Sequence, residues 1–415
     1  MRSTLDLDFV RAQFPAFSEA SLNDQAFFEN AGGSYPCKQV LARLEEYYRR
    51  LKVQPYYQYP AAREAGEWMD ASHARLAEYL NVTPDEVHFG PSTSQNTYVL
   101  AQALRKLLKA GDEIIVTNQE HEANSGVFRR LAADGIVIRE WTMDRDSAVL
   151  DLSKLDALLS ARTRVVAVTH CSNIVAHINP VAEITAKARA AGAISIIDGV
   201  ALAPHGLPDV AALGADIYLF SLYKTYGPHQ GLMVVRDALM KRLPNEGHYF
   251  NDAAIHKRLV PAGPDHAQVA AARGIAEYFD ALDVNHGGGE ARGRPHRVRE
   301  LMRGAEIALA QRLLEYLTSR NDVSVIGPTD ATIRAPTISF VPHKLEPMKV
   351  HIGLGKHGIM SGAGHFYGVR ALEGLGVDPN RGVVRLSFVH YTSPAEISRL
   401  IDALESVLGV SRRQP

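Results

Sequence analysis

Short, continuously apolar runs alternate with longer amphipathic stretches along most of this chain. VHFG (87–90), EIIVT (113–117), IVIREW (136–141), VVAVT (165–169), the runs at 194–197 and 217–220, and LMVVR after Gly231 read as strands. Between them, helical periodicity covers 38–51, 63–80, the stretch opened by Ser92, Thr93 and Ser94, then 153–159, 181–191, a short turn near 209–213, and 267–282. Repeated strand–helix units predict an α/β fold with a doubly wound, mostly parallel sheet. Residues 5–17 read as a short amphipathic helix ending near Pro15. Beyond residue 297 the order changes: a helix at 298–318, strands VSVI and TISFV, a helix near 349–356, strand VVRLSF and a helix at 394–408 predict a smaller α+β domain. HGGGEARGRPH (286–296), rich in glycine and charge, is the best linker candidate. The expected division is an N-terminal segment packing with the small domain (1–25), a large domain (26–285) and a small C-terminal domain (286–415).

Composition narrows the function. The chain has 415 residues, 46% of them hydrophobic, enough for a large core. Lys+Arg 45 against Asp+Glu 46 leaves a net charge of −1, without the basic excess that a nucleic-acid partner requires. The beginning, MRSTLDLDFVRAQFPAF, is broken by acids and a proline, unlike a signal peptide, and no later run reaches membrane-spanning length. A cytoplasmic protein is expected. The two cysteines, Cys37 and Cys171, form no disulfide framework and lack metal-ligand spacing, so no metal site is expected.

The densest chemistry lies between Ala193 and Gly231. One strand there ends at Asp198; the next runs out through Ser221 and Tyr223 to Lys224 and a Gly-Pro turn. Carboxyl ends of parallel strands line the ligand crevice of such sheets. A lysine amine and a carboxylate converging there are what pyridoxal phosphate requires: one for the Schiff base, the other to keep the pyridine nitrogen protonated. A lone Asp or Lys is more often a helix cap or a surface residue, so context decides. Ser92, Thr93 and Ser94 open a helix, where free N–H groups and hydroxyls attract a phosphate, although one hydroxyl would serve as an ordinary cap. His121, His170 and Asn173 sit at other strand ends; Cys171 reads as a small buried residue. Gly32 and Gly33, in FFENAGGSYP, let backbone approach a ligand closely or simply form a turn. Tyr56, Tyr57 and Tyr59 fit a pocket, a subunit contact or packing under a helix equally well.

Taken together, EHEAN, CSN, IIDG, FSLYKTYGP and VVRLSF resemble the fold-type I pyridoxal phosphate enzymes, specifically the class V aminotransferase family that includes the cysteine desulfurases. The resemblance spans nearly the whole chain. It implies that Lys224 carries the Schiff base, that Asp198 pairs with the pyridine nitrogen, and that His121 stacks on the cofactor ring and relays protons. It further implies phosphate contacts from Thr93, Ser94, Ser221 and Tyr223, beside Ser92, and a place for Asn173 near the ring oxygen. Arg385 matches the clamp for a substrate carboxylate. Three departures stand out. Where desulfurases carry a nucleophilic cysteine in a small-domain loop, SGAGHFYGV offers Tyr367, and persulfide chemistry needs a thiolate there. The glutamine expected three residues after the aspartate is Ala201, with His205 or Ser221 as candidates to replace its cofactor contact. An expected arginine is Gly362, and Pro264 stands where a partner subunit normally lends a threonine. His365 and Tyr367 are candidate second acids if their loop folds over the site, with His365 placed toward the substrate, and otherwise equally well rim packing. The implied activity is pyridoxal-phosphate chemistry at the α-amino group of a small amino acid, by transamination or by carbon–sulfur or β-elimination. Persulfide-free desulfurase or selenocysteine lyase activity, epimerisation and a non-catalytic cofactor-binding role are the alternatives; a homodimer is the family expectation.

Overall fold

The computed structural model describes residues 4–409. The chain begins with a helix at Leu7–Arg11, shorter than the periodicity of 5–17 implies; a 3₁₀ turn at Pro15–Ser18 follows. It then forms a two-residue strand, β1 (Ala26–Phe27). The large sheet holds β2 (Val87–Gly90), β3 (Glu113–Thr117), β4 (Val137–Trp141), β5 (Thr163–Thr169), β6 (Ile194–Asp198), β7 (Ile217–Ser221) and β8 (Gly231–Val235). Its seven strands lie in the order β2-β8-β7-β6-β5-β3-β4, and β8 alone runs against the rest. The chain winds outward from β3 to β4, then returns to β5 on the other side of β3. A crevice therefore opens at the ends of β3 and β5, the switch point at which doubly wound sheets bind ligands.

Both faces of this sheet are covered, which is why its strands are apolar throughout. Alternate residues divide between two cores: Ile114, Val116, Val165, Ala167 and Ile196 join one, while Ile115, Val166, Val168 and Ile197 join the other.

The second sheet is antiparallel, β12-β13-β10-β9, from β9 (Val323–Val325), β10 (Thr337–Pro342), β12 (Gly362–Gly364) and β13 (Val383–Ser387). Helices Arg294–Thr318, Pro347–Lys356 and Pro394–Leu408 cover it. A short strand, β11 (Ile359–Met360), pairs in parallel with β1, so Ala26 and Phe28 lie in the core that backs the antiparallel sheet. Val10 and Phe14 instead enter the main core, where Phe14 meets Tyr226, Tyr278 and Tyr391 edge-on.

Two segments differ from their sequence pattern for identifiable reasons. The helix expected over 267–282 is two, His266–Ala271 and Arg273–Asn285. The Ser72 hydroxyl enters the break, donating to Ala270 O at 3.0 Å and accepting from Arg273 N at 3.2 Å, and so replaces rungs of the helical ladder. The linker candidate is only partly a turn: a helix starts at Arg294, and Arg294 and Arg297 pair with Asp280 and Asp283 of the preceding helix.

Candidate active site

The carboxyl ends of β3, β5, β6 and β7 converge with the start of helix Thr93–Leu107 on one pocket. It is lined by Ser92, Thr93, Ser94, His121, Asn173, Asp198, Ser221, Tyr223 and Lys224, together with Ala123, Thr169, Cys171, Val200 and Ala201.

The helix terminus is built as an anion cradle. Ser92 is the N-cap, its hydroxyl accepting from Gln95 N at 3.2 Å. Asn96 N bonds Ser92 O, which leaves the N–H groups of Thr93 and Ser94 without a carbonyl among the described residues. The Thr93 and Ser221 hydroxyls meet at 2.8 Å and tie the helix to the end of β7. Gly231 makes this approach possible: a Cβ there would lie 2.4 Å from Thr93 N and from the Ser92 carbonyl carbon.

Asp198 is buried at the end of β6, with Val200 N donating to Oδ1 at 2.8 Å. Oδ2 has no protein donor among the described residues. Burial raises its pKa, while Val200 N–H and the charge of Lys224 pull it down. Lys224 closes a 3₁₀ turn after β7 and is buried. Desolvation, reinforced by the charge of Arg385, lowers its pKa to about 8, against the pull of Asp198 and Glu29. Two residues on, Tyr226 sits at φ +66° and is locked from behind. Its hydroxyl donates to Pro204 O and lies 3.2 Å from His390 Nδ1, while the Tyr278 hydroxyl lies 2.5 Å from His390 Nε2.

His121 accepts from Ala123 N on Nδ1 at 3.1 Å, and burial with the charges of Lys224 and Arg385 lowers its pKa to about 4. The ring is therefore neutral at pH 7 with its proton on Nε2. Beneath it, Glu120 is buried and accepts from Thr117 Oγ1 (2.6 Å), Thr169 N (2.7 Å) and Asn124 Nδ2 (2.8 Å); burial nonetheless raises its pKa to about 8. Nothing in EHEAN marks Glu120 as the buried one of its two glutamates. Tyr223 stacks on His229 with ring centroids 4.4 Å apart.

Three expected contacts fall elsewhere. His205 lies outside the pocket with Nδ1 3.0 Å from Glu306 Oε1, held by the helix Arg294–Thr318. His365 is exposed; its Nδ1 accepts from Tyr367 N at 3.1 Å. Arg385 is buried on β13 and does not line the pocket; Glu29 takes its Nη2 at 2.6 Å and the Phe366 ring lies 3.7 Å from the guanidinium carbon. Glu29 has no signal of its own in the sequence beyond its place next to Gly32 and Gly33. Tyr367 is 67% exposed, its ring 5.2 Å from that of His121. Cys171 lines the pocket as a thiol, its pKa pushed to about 12 by burial; Cys37, under Gly274, is raised to the same level.

The donor set fits pyridoxal phosphate. Asp198 has a carboxylate oxygen to spare, Asn173 Oδ1 is buried without a partner, Lys224 has a depressed pKa, and the helix terminus is ready for an anion. Fold and site together define a pyridoxal-phosphate enzyme of the doubly wound α/β type. The chain belongs to the aminotransferase class-V family, whose model matches residues 26–400. An aminotransferase-like protein, FGM3, of Gibberella zeae is 35% identical over 98% of this chain and 99% of its own. A cysteine desulfurase of Pectobacterium atrosepticum is 30% identical over 97% and 98%. Among solved structures, the apo cysteine desulfurase of Thermococcus onnurineus superposes with a TM-score of 0.86 at 24% identity, over 99% of this chain and all of that one. A C-DES lysine-to-alanine mutant with glycine covalently linked to its PLP cofactor gives 0.77 at 18% identity, over 96% and 99%. This chain is accordingly a pyridoxal-phosphate-dependent transferase or lyase acting on an amino acid.

Proposed function

We propose that the enzyme transfers the amino group of a small α-amino acid or eliminates its β-substituent, and does so without a persulfide. One observation carries this reading: the pocket holds a buried lysine and carboxylate but no ionisable thiol. Tyr367 stands in the loop where a desulfurase nucleophile belongs, and both cysteines are buried with pKa values pushed to about 12.

When bound, pyridoxal phosphate supplies an electron sink for the charge left on the substrate's α-carbon. Lys224 would hold the cofactor and, once free, serve as the base that takes the α-proton; its lowered pKa leaves a useful fraction neutral near pH 7. Asp198 would hold the ring-nitrogen proton, and Thr93, Ser94, Ser221 and the helix terminus would hold the phosphate. His121, neutral with its proton on Nε2, can donate a hydrogen bond or pass on that proton, but contributes no positive charge. Ser92 acts through its cap. Asn173 and Tyr223, which line the same pocket, would contact the cofactor.

Sulfide or selenide release from cysteine or selenocysteine is the second reading, supported by the desulfurase relatives. A homodimer in the cytoplasm completes the proposal; the exposed rings of Tyr57, Tyr59, Tyr249 and Phe250 are apolar surface that a second copy would cover. No helix among the described residues is long and apolar enough to cross a membrane. Purified holoenzyme is tested against single amino acids and their amides, following visible absorbance, keto acid and sulfide. A keto acid formed with stoichiometric amino transfer supports transamination, a keto acid with ammonia supports elimination, and sulfide from cysteine alone selects the second reading. Unchanged absorbance across the panel overturns both.

A further inference from the structure

Arg385 is a buried cation electrostatically coupled to Lys224, yet its charge is already answered. Glu29, between β1 and the Gly32–Gly33 turn, places Oε1 2.6 Å from Arg385 Nη2; the arginine side chain is 3% exposed and the glutamate 27%. Gly362 faces Arg385 in register on β12, and a Cβ there would lie 3.2 Å from Glu29 Oε1 and 2.8 Å from the Phe366 ring. A side chain at 362 would thus crowd both groups that cover the guanidinium. The pair is also incomplete: Arg385 Nε and Glu29 Oε2 are both buried without a hydrogen-bond partner.

A free amino acid bringing its carboxylate to Arg385 meets this fixed negative charge. Either it shares one guanidinium with a second carboxylate, or it displaces Glu29 and leaves that carboxylate unpaired in a largely desolvated place; both oppose binding. An uncharged carboxyl derivative has neither difficulty. It brings no second negative charge to the Arg385–Glu29 pair, which can stay intact.

Resting on the reading of this pocket as an α-amino-compound site, we propose that Glu29 determines specificity, occupying the carboxylate clamp of Arg385 so that the site selects amino acids with an uncharged carboxyl group. Esters, thioesters and amides form the preferred class, and free amino acids the disfavoured one.

The test compares L-alaninamide with L-alanine in equilibrium titrations of the holoenzyme, read by visible absorbance rather than turnover. Comparing the ratio of their dissociation constants between wild type and Glu29→Gln cancels the intrinsic difference in amine basicity. Glu29→Gln is expected to shift the ratio at least tenfold toward free alanine. Glu29→Asp, which keeps the charge but draws back from Nη2, shifts it the same way by less. In cofactor-free protein, calorimetric binding of propionate should tighten at least tenfold in Glu29→Gln. A ratio and a propionate affinity unmoved in both variants overturn the role of Glu29 alone. If neither alanine compound perturbs the holoenzyme spectrum, the amino-compound reading falls and this proposal with it.

Discussion

Lys224 works only as a neutral amine, and the cost of burying its charge lowers its pKa to about 8. An ordinary lysine, near 10.4, is neutral in well under about 0.1% of molecules at pH 7, whereas a group with pKa about 8 is roughly one-tenth neutral. The sign follows: uptake of pyridoxal phosphate by cofactor-free protein should rise about tenfold from pH 6 to pH 7 and level off above about pH 8, measured by stopped-flow absorbance. A profile still climbing tenfold per unit at pH 9 would show an unshifted lysine. Lys224→Ala should abolish the visible absorbance of lysine-bound cofactor and turnover while leaving the melting temperature unlowered, because it removes a desolvated amine. At this scale the sequence was most legible where a residue's place at the end or start of its own element carries the reading. Asp198, Lys224, Ser221 and Thr93 end or begin elements whose pattern is plain. Arg385 and His205 were not legible in the same way: their nearest polar partners, Glu29 and Glu306, lie 356 and 101 residues away along the chain, and nothing local predicts such pairings.

At the scale of elements, the cofactor cradle depends on how the helix Thr93–Leu107 is pinned to β7 and β8. The Thr93–Ser221 hydroxyl pair and the absence of a side chain at Gly231 set that distance. Thr93→Val keeps the shape and removes the hydroxyl. A hydrogen bond to a charged group contributes about 1.5–3 kcal/mol, so affinity for pyridoxal phosphate should fall about tenfold to a hundredfold, read by equilibrium dialysis. An unchanged constant would remove Thr93 from the phosphate site. The fully buried strands were legible because both faces are covered, so each appears as an apolar run bounded by turn residues. The break at Ala272 was not, because it is made by the hydroxyl of Ser72 on a different helix.

Across the whole molecule, the pocket at the strand ends of the large sheet is flanked by the loop that follows β12. Asn173 Nδ2 donates to Phe366 O at 2.8 Å and Glu122 N to Tyr367 O at 2.9 Å, so the loop after β12 docks directly on the strand ends of the large sheet. Phe366 and Tyr367 reach those contacts at φ +48° and +57°, a left-handed conformation that costs side-chain-bearing residues energy and that tertiary contacts must hold. The lysine loop is braced from the other side by Tyr226, Tyr278 and His390, whose hydrogen bonds place the histidine proton on Nδ1 while burial keeps the ring neutral, its pKa near 3. Tyr226→Phe leaves Pro204 O and His390 Nδ1 unpaired in the core and should cost about 1–3 kcal/mol, seen as a lower urea midpoint. An unaltered midpoint would mean that the Tyr226 hydroxyl contributes no net stability.

The sequence by itself determined the layer architecture and the chemistry of its central stretch, because burial on two faces and strand-end polar residues are encoded by near neighbours. Tertiary structure alone decided the protonation states and the commitments of the charged groups. How far the pKa of Lys224 falls, which histidines stay neutral, and whether Arg385 is free to meet a substrate all depend on desolvation and on partners brought together from opposite ends of the chain.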